Sequence, residues 1–227
     1  MRHLAMISTF IRISSILLFA TTAFANELYI TQSGDDFTLD VDQRSENNYI
    51  SATVTGNTNT VTIRQGMHDD GTIDLDETGG HEAYWTVTGN NNTVGSAQTD
   101  TNRGGGGGSA HHLANIVNGD NNVVYHYQMG KAGHDGFVEI QGDSNNVSLL
   151  QRGNTGQHTA DIVLYGDGHS ISSEQKDNGA KSLTLDLTNN GGSYTVSSGQ
   201  YGADAQSYSL TGSCANTIGC SVSVTQQ

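Results

Sequence analysis

Downstream of the first 25 residues, apolar and polar side chains alternate in short runs on both sides of recurring glycines. Ala52 and Val54 precede Gly56, and Val61 follows it. Trp85 and Val87 precede Gly89, Val138 and Ile140 precede Gly142, and Ile162 and Leu164 precede Gly166. Period-two alternation interrupted by a Gly-containing turn predicts strand, tight turn, strand. Gly and Asn at the reversal supply the positive-φ positions that a tight turn requires. No apolar stripe of 3.6-residue period occurs after residue 25, so no helix is expected there.

The alternation is locked to one repeated phrase, Gly-x-x-Asn-x-Val-x-x-x-Gln. Gly56, Asn59, Val61 and Gln65 carry it in full, as do Gly89, Asn92, Val94 and Gln98. Gly119, Asn122, Val124 and Gln128 repeat it, then Gly142, Asn145, Val147 and Gln151. Degenerate copies begin at Gly34 (with Gln43), Gly166 (with His169 and Gln175) and Gly191 (with Gln200). Anchor glycines at 34, 56, 89, 119, 142, 166, 191 and 212 are 21 to 25 residues apart, except for two intervals of 33 and 30. Those two intervals hold insertions near 67–80, rich in Asp, and near 99–109, which contains the run Gly104 to Gly108.

A repeat this short cannot bury its own apolar face and must stack on copies of itself. The expected fold is therefore all-β, a β-solenoid of strand-turn-strand rungs with amyloid-like cross-β stacking. Positions +3, +5, +7 and +9 from each Gly share one strand face. Stacking at ~4.8 Å would then set Asn over Asn, Val over Val and Gln over Gln. Each amide is expected to donate to the next rung and accept from the one before, so that a buried amide specifies register instead of costing stability.

The stretch Gln32-Ser33-Gly34-Asp35-Asp36-Phe37-Thr38-Leu39-Asp40-Val41-Asp42-Gln43 resembles the curlin repeat, Gln-x-Gly-x-x-Asn-x-Ala/Val-x-x-x-Gln. The resemblance spans about Leu28 to Gln227. Curlin is the subunit of curli, the extracellular functional amyloid of Gram-negative bacteria. The resemblance implies a secreted, self-assembling fibre subunit of the biofilm matrix that serves surface adhesion. It also implies partners: further copies of the chain, a nucleator subunit and an outer-membrane secretion pore. The chain departs from the curlin pattern two residues before the Gly, where Gln occurs only as Gln32. Val54, Val87, Val117, Ile140 and Leu164 stand there instead, which predicts a more aliphatic core. The alternative from another class is a soluble, capped β-solenoid that acts as an adhesin or carbohydrate-binding module.

Composition adds localisation and exclusions. Arg2 and Arg12 precede the apolar stretch Ile13 to Ala20, and Ala23-Phe24-Ala25 is a small-x-small cleavage site. Residues 1–25 read as a signal peptide, leaving 26–227 as the exported repeat region. No membrane span is expected in that region. Two of the nine Lys and Arg lie in the leader against 23 acids elsewhere, so the remainder carries −16, which disfavours nucleic acid as a partner. Acids in the turns, such as Asp35, Asp120, Asp143 and Asp167, read as gatekeepers against premature association. On that reading, association should quicken as pH falls toward the sequence pI of about 4.7 or as salt is added. Cys214 and Cys220 are expected to close one small disulfide loop.

No motif calls for a cofactor, and nothing anchors a catalytic site. His111, His112, His126, His134, His158 and His169 read as scattered. The densest ligand-like set, His68, Asp69, Asp70, Asp74, Asp76, Glu77, His81 and Glu82, matches no calcium-loop spacing and reads as a solvated acidic loop. The working residues are thus the structural ones: the Gly turns, the Asn and Gln ladders, and the apolar rows beside them.

Overall fold

The computed structural model describes residues 26–44, 47–66, 79–99, 109–187, 194–212 and 220–227. Among them there is no helix. Sixteen strands fall into eight rungs of two. The rungs are β1 (Glu27–Ser33) with β2 (Thr38–Gln43), β3 (Tyr49–Thr55) with β4 (Thr60–Gln65), β5 (Glu82–Thr88) with β6 (Thr93–Thr99), and β7 (His112–Asn118) with β8 (Val123–Met129). Then come β9 (Asp135–Gln141) with β10 (Asn146–Arg152), β11 (His158–Asp161) with β12 (Ser170–Lys176), β13 (Lys181–Thr184) with β14 (Tyr194–Gln200), and β15 (Gln206–Ser209) with β16 (Cys220–Gln226).

Odd-numbered strands form one eight-stranded sheet and even-numbered strands the other, each in sequence order. All pairings are parallel and in register: Val61 lies beside Val94, Val94 beside Val124, and Gln65 beside Gln98. This is the expected β-solenoid, with the core between the two sheets. Each insertion interval separates two neighbouring rungs without breaking their register, since β3 pairs β5 and β5 pairs β7. A solenoid tolerates insertions because they leave from its rim.

Inward-facing rows interdigitate. Val54, Val87, Val117, Ile140 and Leu164 form one buried aliphatic row, as the departure from the curlin pattern predicts. Bulky residues meet small ones across the core. Trp85 donates to Ser96 Oγ at 3.3 Å, and the imidazole of His126 occupies the space that a side chain at Gly136 would need. His126 also lies 3.3 Å from Asn115 Oδ1.

The turns differ in one respect from expectation. The anchor glycines do have positive φ, including Gly34 (125°), Gly56 (117°), Gly89 (123°), Gly119 (134°), Gly142 (154°) and Gly166 (125°). The second positive-φ position is +2, not the ladder Asn at +3. It is held by Asp36, Thr58, Asn91, Asn121, Ser144 and Gly168. The Gly requirement is also steric. A Cβ at Gly119 would run into the carbonyl of Gly142 in the next rung. Gly191 and Cys214 lie outside the described residues. Cys220 is disulfide-bonded and projects toward the core in β16.

Gly119→Ala should therefore cost at least about 1–3 kcal/mol through φ strain alone, with the clash added. Ser144→Gly, at the other positive-φ position, should be neutral or mildly stabilising. Urea unfolding of the two variants checks this, and equal midpoints would contradict the turn geometry.

Candidate functional site

The strand alternation places four ranks of polar side chains one above another, and these ranks, with the two end rungs, are the distinctive chemistry of the molecule. The first rank is glutamine. Gln43 Nε2 donates to Gln65 Oε1 (2.9 Å), Gln65 to Gln98 (2.8 Å), Gln98 to Gln128 (2.9 Å) and Gln128 to Gln151 (3.0 Å). Gln151 continues to Gln175 (3.0 Å), Gln175 to Gln200 (2.9 Å) and Gln200 to Gln226 (3.0 Å). The remaining amide proton goes to a backbone carbonyl of the opposite sheet, for example from Gln128 to His112 and His134 at 2.8 and 2.9 Å. The ladder thus sews the two sheets together and has a direction: every donor points toward the C-terminal rung.

Gln226 was not legible as a member, because the ninth residue after Gly212 is Ser221. The link between β15 and β16 is longer than in other rungs, so counting from the glycine fails while sheet register holds.

The second rank, Asn59, Asn92, Asn122 and Asn145, bonds differently from the expected amide-to-amide ladder. Each Oδ1 accepts the backbone N–H of the next rank member, at 2.9 Å from Asn92, Asn122 and Asn145 and 2.8 Å from His169. Each Nδ2 donates to the next rung's anchor glycine, with 2.7 Å to Gly89 and 2.8 Å to Gly119, then 2.9 Å to Gly142 and 2.8 Å to Gly166. Only Asn145 also reaches its neighbour's side chain, donating to Asn122 Oδ1 at 3.1 Å. Each Asn is a two-pronged clamp on the following turn, because its short side chain reaches the adjacent backbone before it reaches another amide.

The third rank is exposed or half-buried, one residue after each glycine. Asn57, Asn90, Asp120, Asp143 and Asp167 each accept the backbone N–H of the preceding rung's turn at 2.7–2.9 Å. These acids therefore cap backbone as well as carry charge.

The fourth rank corrects the reading of scattered histidines. His81, His111, His134 and His158 stand at the same position, eight residues before Gly89, Gly119, Gly142 and Gly166. They form a fully buried ring stack with centroids 4.9, 5.0 and 4.6 Å apart and planes within 20°. The backbone N–H of His111, His134 and His158 each donates to Nδ1 of the preceding ring at 3.1 Å. Nε2 of His111, His134 and His158 faces the carbonyls of Thr99 (3.3 Å), Met129 (3.0 Å) and Arg152 (3.1 Å). An Nδ1 that accepts and an Nε2 that donates define the neutral Nε2–H tautomer. Asn26 and Asn48 hold the same position in the first two rungs, with Asn48 Oδ1 accepting from His81 N–H at 3.1 Å. Lys181 follows His158 in register and is buried, its Nζ donating to the carbonyls of Gly202 (2.9 Å) and Asp204 (2.5 Å).

Burial holds these rings far below the ordinary imidazole value: His81 at about 4, His111 at about 3 and His134 at about 3, with neighbouring imidazoles adding to the shift. His158 is lowered too, mainly by burial. Backbone N–H groups engage the Nδ1 lone pairs of His81, His111 and His134, whereas His81 Nε2 and His158 Nδ1, at the two ends of the stack, have no hydrogen-bond partner. His81 and Glu82 also point to opposite sides of the sheet, so these two members of the acidic ligand-like set are not brought together. His68 to Glu77 of that set lie outside the described residues. Among the described residues no group of three or more His, Cys, Asp or Glu is arranged to hold a metal ion, and no helix is long and apolar enough to cross a membrane.

The two end rungs differ from the interior. Leu28, Ile30, Leu39 and Val41 at one end, and Tyr208, Leu210, Cys220 and Val222 at the other, face inward yet are only partly buried. Among the described residues, β1 and β2 lie at one edge of their sheets and β15 and β16 at the other. Among the described residues nothing donates to Gln43 Oε1 at the first edge or to Gln206 Oε1 at the last.

No family model, curated protein or solved structure matches the chain. The fold defines its class: a parallel, two-sheet β-solenoid held by internal side-chain ladders.

Gln128→Leu should cost roughly 1–3 kcal/mol by leaving the Gln98 amide donor without its side-chain acceptor in the core. Gln43→Leu, at the partly exposed end, should cost less. Denaturant midpoints of the two variants check this; equal losses would contradict a ladder whose interior is desolvated.

Proposed function

We propose that the chain is a secreted, self-assembling fibre subunit of the curlin type, adding copy to copy along the solenoid axis, with roles in biofilm matrix and surface adhesion. The observation that carries this reading is the match between the two ends. Continuing the register sets Val222 of one copy against Leu39 of the next and Val224 against Val41. It also sets Tyr208 against Leu28, Leu210 against Ile30 and Gln226 against Gln43. An apolar row meets an apolar row, and the Gln226 amide meets the vacant Gln43 acceptor in the direction that every internal rung uses. Such contacts are heterologous and do not close, so they propagate as filaments. Among the described residues no other element pairs with these edge strands, and sheet edges open to pairing are the feature that natural sheet proteins otherwise suppress. The secretion pore and nucleator belong to the same proposal and rest on the repeat resemblance and the leader-like residues 1–25.

Purified residues 26–227 should form filaments that bind thioflavin and give a meridional reflection near ~4.8 Å. Val222→Lys places a charge in the end row and should lengthen the lag several-fold while leaving the monomer's sheet circular dichroism intact. A chain that stays monodisperse at high concentration with seeds added would favour the capped, soluble module instead.

A further inference from the structure

The histidine stack does work that neither the fold nor the fibre proposal requires. Asn at the same position serves rungs one and two with the same backbone acceptor geometry, so a non-titrating residue suffices structurally. Four successive rungs nevertheless use imidazole.

We infer that the buried column His81, His111, His134 and His158 is an acid-sensitive lock on the solenoid, closed when the rings are neutral and opened when they gain protons. Three consequences of protonation act together. At His81, His111 and His134, a proton on Nδ1 turns the acceptor for the next rung's backbone N–H into a second donor, so that contact becomes repulsive. A charge appears where the ring has no access to water. Adjacent cations would then stand at the 4.6–5.0 Å ring spacing of the stack.

The surroundings offer little to offset that charge. From β7, the exposed His112 lies near His81 and His111 and is itself paired with Glu82 of β5 at 3.2 Å. Lys181 of β13 opposes protonation of His158, and Asp177, in the turn before β13, is the one carboxylate that favours it. The carbonyls of Thr99, Gly130, Met129, Gly153, Arg152 and Asp177 favour the cation, but burial outweighs them at every ring. The neighbouring Gln ladder is uncharged and donates to the His backbone carbonyls, not to the rings.

In the unfolded chain each ring takes up its proton near 6.5, whereas in the fold His81 resists down to about 4 and His111 and His134 down to about 3, and burial lowers His158 as well. Stability carried by the stack is therefore complete above about pH 6.5 and is lost as pH falls below it. His81, His111 and His134 each shift the folding equilibrium toward the unfolded chain by roughly tenfold per pH unit in that window. Between pH 6.5 and 5 the imidazoles of the unfolded chain take up protons that the buried rings refuse. This opposes the expectation from net charge that acid promotes association: the same acid that removes surface repulsion unlocks the rungs.

The test is urea unfolding of residues 26–227, dilute enough to remain monomeric, read by fluorescence of the single buried Trp85 between pH 7.5 and 5. Wild type should lose midpoint steadily below pH 6.5. The quadruple variant His81→Asn, His111→Asn, His134→Asn, His158→Asn keeps an acceptor at each position. Buried His126, held at about 4, and His169 continue to titrate in it. Its slope should fall to less than about half of the wild-type value. A flat wild-type response, or a variant slope equal to wild type, would overturn the lock. If the quadruple variant does not fold, single His111→Asn and His134→Asn changes should each remove at least about one sixth of the slope. Imidazole ¹⁵N shifts of the folded wild type at pH 5.5 should report neutral Nε2–H rings, and charged rings there would equally overturn it. The readout is unfolding of single molecules, so a failure to form fibres would leave it intact.

Discussion

The repeat distance between hydrogen-bonded parallel strands governs everything else in this molecule. At ~4.8 Å per rung, a side chain has its own counterpart directly above and below. A buried amide then finds a partner only if the next rung carries a compatible group at the same position. Glutamine, long enough to span one rung, bonds side chain to side chain. Asparagine, shorter by one methylene, reaches the adjacent backbone instead. Imidazole does both tasks: its planes stack at the strand spacing while, in His111 and His134, both ring nitrogens engage backbone above and beside the ring. The polar interior thus becomes a register-fixing device, because slipping one strand by one residue would empty every rank at once.

The same constraint separates the ends from the middle. Interior rungs satisfy each ladder group twice, once from each side, whereas the first and last rungs satisfy it once. The half-buried Leu28, Ile30, Leu39 and Val41 at one edge and Tyr208, Leu210 and Val222 at the other are the apolar expression of that asymmetry. A structure built by repetition ends with unfinished contacts unless something distinct closes it. The fibre reading follows from that geometry and from the repeat resemblance together. The charge on the turns, which also caps backbone through Asp120, Asp143 and Asp167, tempers it.

Much of this was legible in the chain. The Gly, Asn and Gln spacing predicts the rungs, the parallel register and the inward rows, because turn chemistry and alternation agree at every copy. Other features were missed for identifiable reasons. The histidines look scattered when read by their neighbours, yet all four stand eight residues before an anchor Gly, as Asn26 and Asn48 do. A position that holds different residue types in successive copies hides its rank unless the copies are aligned. Lys181 and Gln226 escaped because links of unequal length separate them from Gly191 and Gly212, and only strand pairing restores their place. The bonding of the Asn rank could not be read from spacing, since it depends on how far one short side chain reaches.

Intramolecular stacking in register is most directly tested by a distance along one outer row. Thr62 and Ser197 occupy the same row five rungs apart. Nitroxide labels at these two positions, diluted with unlabelled chain and measured by pulsed dipolar spectroscopy, should give one narrow distribution near ~24 Å, five strand spacings. A broad distribution, or a centre well beyond that distance, would contradict the stacked solenoid.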